Sequence, residues 1–119
     1  MGQKNAGGGG PRSLTYPTVT TDQTAKTGGG LCRKTCLFSG RVQGVGFRYA
    51  THNLAQQFDV RGFVRNLPDG RVELVLEGSE PEMDRLIECV RRRMEGFIQS
   101  VDVQSGPGTG EFYAFRIRH

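Results

Sequence analysis

Histidine and cysteine are scarce in this chain, and their scarcity removes several chemistries at the outset. His52 and His119 are the only histidines, and Cys32, Cys36 and Cys89 the only cysteines. An odd cysteine count without framework spacing argues against a disulfide-built scaffold. Cys32 and Cys36 are four apart, but no second pair follows to complete the close ligand set of a structural zinc site. Free thiols in a reducing compartment are the simpler expectation. No apolar run reaches membrane-spanning length, and the N-terminus lacks the hydrophobic core of a signal peptide. A cytoplasmic protein with no membrane partner is therefore expected, and nothing calls for more than a monomer.

Charge of one sign is not in large excess either. The net charge is +4. Lys4, Arg12 and Lys26 against Asp22 account for half of it, and the only dense basic run is Arg91-Arg92-Arg93. That run closes a predicted helix, where it favours the C-terminal dipole. Such a balance suits a small anionic ligand and gives no support to a nucleic-acid partner.

Large apolar side chains are nearly missing from residues 1–30, which hold two glycine runs and a polar, Thr-rich stretch between them. This segment reads as a disordered extension. Residues 31–119 read as one domain, of a size that supports a single two-layer core. Within it, Thr35 to Ser39 reads as a strand, followed by a glycine-rich loop. A helix then places Phe47, Ala50, Leu54 and Phe58 on one face. Val60 to Arg65 and Arg71 to Glu77 read as strands around a Leu67-Pro68-Asp69-Gly70 turn. Ser79 and Glu82 have capping-box spacing ahead of a second helix with the stripe Met83, Leu86, Ile87, Val90 and Met94. Phe97 to Gln104 and Phe112 to Arg118 complete the set. The order βαββαβ with a final C-terminal strand predicts a ferredoxin-like α/β (α+β) sandwich, two helices on one face of an antiparallel sheet.

The segment Gly40-Arg41-Val42-Gln43-Gly44-Val45-Gly46-Phe47-Arg48 is the most informative. Its glycines permit a curled backbone whose N–H groups can converge on an anion. The helix starting near Phe47 adds its positive end. Arg48, in the first turn, can lay a planar fork of donors over phosphate oxygens. No Gly-Lys-Ser/Thr follows, so this is not a nucleotide P-loop, and the glycine offsets are not those of a dinucleotide loop. Taken alone, the glycine spacing fits a flexible connection equally well. Asn66, closing a strand expected to run beside the first, would bring its amide to the same loop, although an Asn before Pro-Asp-Gly is also an ordinary turn former.

Together these segments resemble the acylphosphatase family. Residues 40–48 match its first motif throughout, and Gly62, Phe63, Val64, Asn66, Asp69, Gly70 and Val72 match the second. The resemblance runs from about Leu31 to His119. It implies a hydrolase that cleaves the carboxyl–phosphate bond of acyl phosphates, an acid anhydride, without a metal or organic cofactor. It further implies that Arg48 binds the phosphate, that Asn66 orients the nucleophilic water, and that the backbone of Val42, Gln43, Gly44, Val45, Gly46 and Phe47 supplies further phosphate contacts. Two rival readings carry less. Arg61-Gly62-Phe63-Val64 shares a fragment with RNA-recognition modules but departs after three residues and falls on the wrong strand. Acylphosphatase-like domains also occur inside larger proteins that handle carbamoyl phosphate, but retention of both Arg48 and Asn66, with nothing after His119, favours a stand-alone enzyme.

Overall fold

The computed structural model describes residues 31–119, and the expectation of a disordered extension over residues 1–30 lies outside them. The chain runs through β1 (Cys32–Gly40), α1 (Phe47–Ala55), β2 (Val60–Asn66), β3 (Val72–Gly78), α2 (Glu80–Arg93), β4 (Ile98–Pro107) and β5 (Phe115–Arg118). The strands form one sheet in the order β4-β1-β3-β2-β5. This is the βαββαβ ferredoxin-like fold with an added strand.

Alternation in the strands decides which face the helices cover. Cys36 and Phe38 of β1, Val64 of β2, and Val72, Leu74 and Leu76 of β3 are fully buried. They pack in one core with Phe47, Ala50 and Ala55 of α1 and with Met83, Leu86, Ile87 and Val90 of α2. Burying each large side chain of this set contributes about 1.5–3 kcal/mol, which outweighs any preference of the isolated helices. The α1 helix ends at Ala55, so Phe58 reaches the core from the connection beyond it, half-buried like Leu54. Thr51, also inside, satisfies its hydroxyl by donating to the Phe47 carbonyl at 2.8 Å.

Five sequence expectations are corrected. The sheet is mixed, because β5 pairs parallel to β2. Residues 108–114 carry the chain across the open face from one edge to the other, so β5 arrives running with β2. β2 does not lie beside β1, since β3 stands between them. β4 extends to Pro107, which pairs with Cys32, because an available partner strand overrides the local turn signals of Ser105 to Gly108. β5 begins only at Phe115, since residues 112–114 belong to the crossing segment. The capping box is also not formed. Ser79 is the N-cap residue but makes no side-chain cap bond, and Glu82 instead accepts the Asp59 N–H at 2.9 Å, tying α2 to the connection after α1.

The crossing segment is anchored by a carboxylate that periodicity alone places on the other side of β3 from Leu74 and Leu76. Glu77 is 2% exposed. Its oxygens accept the N–H groups of Thr109 and Gly110, both at 2.9 Å, the Thr109 hydroxyl at 3.0 Å and the Arg33 guanidinium at 2.8 Å. Burial pushes its pKa up, but the Thr109 and Gly110 N–H groups, then Arg33 and the Thr109 hydroxyl, outweigh burial and hold it below the ordinary value. A depressed folded-state pKa means the contribution is full above the unfolded carboxylate range and is lost as pH falls through the folded value. Glu77→Gln is therefore expected to cost about 3 kcal/mol at neutral pH. In urea unfolding, the gap between variant and parent should narrow as the pH is lowered from neutral through and below the ordinary carboxylate range. An equal gap throughout would show that the charge is not what stabilises.

Candidate active site

The loop between β1 and α1 is held open by its backbone. Gly44 and Gly46 have φ of 79° and 81°, a left-handed conformation that side-chain-bearing residues resist. Gly46 is the N-cap of α1, whose first turn carries no acidic residue to offset the helix dipole. Among the described residues, no hydrogen bond takes up the N–H groups of residues 42 to 49, although the flanking Arg41 and Ala50 N–H groups are bonded to Phe97 and Gly46 carbonyls. A run of free donors at a helix N-terminus is a setting suited to an anion.

Gln43 fixes this loop to the β2–β3 hairpin. Its side-chain amide donates to the carbonyls of Leu67 at 2.8 Å and Arg71 at 2.9 Å. The turn is closed by Leu67 N–H to Arg71 carbonyl at 2.8 Å. Asn66, the last residue of β2, pairs in register with Val72, and Val72 pairs in turn with Phe38 of β1. Asn66 thus meets the loop across the start of β3, not from a strand adjacent to β1. Asp69 takes no part in the cavity. The Arg71 N–H, more than its guanidinium, holds the Asp69 carboxyl below its usual range against a small desolvation cost, which keeps it an acceptor inside the turn.

A cavity of about 120 Å³ opens here, lined by Gly44, Gly46, Phe47, Arg48, Tyr49 and Asn66. Of the residues the sequence singled out, the structure brings Gly44, Gly46, Phe47, Arg48 and Asn66 together around it. Val42 and Val45 face inward, Val42 fully buried and Val45 packed against the core, so that only their backbone is turned to the loop. Arg48 is half-buried, and its Nη1 donates to the Arg118 carbonyl at 3.3 Å and lies 3.4 Å from His119 Nδ1. Long contacts of this kind orient the guanidinium while leaving most of its donors available. Sequence reading passed over three participants. The sequence points to Gln43 for its backbone alone, and it gives no site signal for Tyr49 or His119. The first could have been found from its place in the motif, whereas the other two depend on tertiary placement.

A second cavity, about 180 Å³, lies between Arg91 and Glu95 of the α2 end and residues 98–101 of β4. No glycine lines it. Among the described residues, no three His, Cys, Asp or Glu side chains converge as metal ligands, and no helix is long and apolar enough to cross a membrane.

A family model, Acylphosphatase, matches residues 34–117. The chain belongs to the acylphosphatase family. It is 46% identical over 88 residues to an acylphosphatase of Acaryochloris marina, an alignment spanning 73% of this chain and 92% of that protein. To the acylphosphatase of Paenarthrobacter aurescens it is 45% identical over 86 residues, spanning 71% and 92%. The crystal structure of acylphosphatase from Bacillus subtilis superposes with a TM-score of 0.66 at 29% identity, covering 74% of this chain and 99% of that one. Family membership assigns the chain to the hydrolases acting on acid anhydrides, and the cavity between loop and hairpin is where the residues of both family motifs meet.

Proposed function

We propose that the chain hydrolyses acyl phosphates at this cavity, with Arg48 and the free N–H groups of residues 42–49 gripping the phosphoryl group and Asn66 orienting the attacking water. The observation that carries the reading is convergence: the left-handed glycine loop, the first turn of α1 and the Asn66 amide all line one small cavity.

An acyl phosphate is a mixed anhydride, and its leaving group is a weakly basic carboxylate that departs without protonation. What remains for the protein is positioning and charge stabilisation. The guanidinium and the loop N–H groups hold the non-bridging oxygens as negative charge redistributes over them. The Asn66 amide has no useful basicity near neutral pH, but it both accepts and donates hydrogen bonds and so fixes a water in line with the breaking P–O bond. As the water oxygen bonds to phosphorus, the P–O bond to the acyl group breaks and the carboxylate takes its electron pair. The water's proton passes to a phosphate oxygen. No step calls for a metal or an organic cofactor. The chain acts as a monomer on a small-molecule substrate, without nucleic acid, in the reducing cytoplasm that its odd, unframed set of cysteines suits.

The test is hydrolysis of benzoyl phosphate in the presence of a chelator. Rapid, chelator-insensitive release of benzoate and phosphate is expected. A folded chain that binds inorganic phosphate yet leaves benzoyl phosphate intact would be a phosphate-binding relative, and the hydrolytic reading would fall.

A further inference from the structure

We infer that the ring of Tyr49 is the platform on which the acyl group of the substrate lies, so that the site favours flat aromatic acyl groups over small aliphatic ones. This rests on the reading of the cavity as the phosphoryl site and extends it to the other half of the substrate.

Size sets the starting point. At about 120 Å³ the cavity is well below the roughly 300 Å³ at which pockets begin to enclose a whole small-molecule ligand. It has room for a phosphoryl group and a water, and the acyl group must project past its rim. The Cβ position of Gly44 and of Gly46 meets no atom within 4 Å, so the approach over the loop is open on that side. Of the lining residues, the two glycines offer no side chain. Phe47 is 2% exposed and spent on the core, its ring 4.9 Å from that of Phe38. Arg48 and Asn66 offer polar groups. Among the lining residues Tyr49 alone carries a large aromatic side chain that is exposed, at 63%.

An exposed tyrosine by itself carries no meaning. Among the described residues, the other large hydrophobics with comparable exposure are Leu31, Val103 and Tyr113, and none of them lines the cavity. Tyr49 follows Arg48 directly, so its ring is tied to the same first turn that presents the guanidinium. An acyl group anchored through its phosphate is thereby confined to the neighbourhood of one aromatic face. A planar acyl group can stack there, whereas a methyl group covers little of the ring.

The experiment compares kcat/KM for benzoyl phosphate and acetyl phosphate in the parent, Tyr49→Ala and Tyr49→Phe. Tyr49→Ala is expected to lower the benzoyl-to-acetyl ratio by about three- to tenfold, the range of a single aromatic contact, chiefly through KM. Tyr49→Phe should keep the parent ratio. A ratio unchanged in Tyr49→Ala, whether both activities fall together or neither moves, overturns the inference. Binding of benzylphosphonate and methylphosphonate, followed by NMR titration, should give the same ratio change without any turnover. That second measurement separates the two readings. A parent that binds benzylphosphonate more tightly but hydrolyses neither substrate overturns the hydrolytic reading and upholds the platform. A parent that hydrolyses both substrates but binds the two phosphonates equally well keeps the hydrolytic reading and overturns the platform.

Discussion

Arg48→Gln is expected to lower kcat/KM for benzoyl phosphate by about three orders of magnitude and to weaken inhibition by inorganic phosphate in step. Removing one donor aimed at developing charge costs about 10²–10³ in rate. On the proposed reading the substitution removes a full positive charge and a two-pronged donor that also bind the ground state. Loss in both KM and kcat is therefore the signature, because the same oxygens are held before and during the reaction. Arg48→Lys should recover only part of the loss, since a point charge cannot reproduce the planar fork. The fold should be indifferent. Arg48 is half-buried and, among the described residues, makes two long contacts, to Arg118 and His119, so the urea midpoint should not move. Unchanged phosphate affinity in Arg48→Gln would remove the guanidinium from the phosphate site.

Asn66→Ala should separate what Arg48→Gln couples. Turnover is expected to fall by about two orders of magnitude, while affinity for inorganic phosphate stays within about twofold. On the proposed reading the amide addresses the water and not the phosphoryl oxygens, so its contribution appears only as the water bonds to phosphorus. The substitution sits at the end of β2, where Asn66 pairs through its backbone with Val72, and alanine can keep that pairing. Near-full activity in Asn66→Ala would dismiss the assignment of the water site. A parallel loss of phosphate affinity would instead make Asn66 a phosphate ligand.

What the sequence made legible follows from how local each signal is. The loop of residues 40–46 could be read directly, because left-handed glycines and the start of an amphipathic helix are properties of neighbouring residues. The α2 stripe was legible for the same reason, and all five of its residues are buried. Pairing was not legible in this way. The proximity of Asn66 to the loop was anticipated, but through the wrong neighbour. β3 intervenes, and the Gln43 amide bridges to the hairpin across it. The length of β4 depended on β1 offering a partner as far as Cys32. Glu77 was placed on a strand face correctly, yet nothing local shows that a loop more than thirty residues later folds over it. Gly62 illustrates the remaining gap. The motif includes it, but its reason is tertiary: a Cβ there would lie 1.8 Å from the Val75 carbonyl oxygen on β3.

The parallel pairing of β5 with β2 also orders events in time. The Arg118 carbonyl that meets Arg48 belongs to the last strand, whose partner β2 lies in the first half of the domain, and the two can join only after the chain has crossed the sheet. Contacts so distant along the chain form late, because the entropy of closing the long loop must be met before they give anything back. On refolding, helix and sheet signals should therefore return before the guanidinium is aligned. Catalytic competence should then return after those signals, once β5 has joined β2.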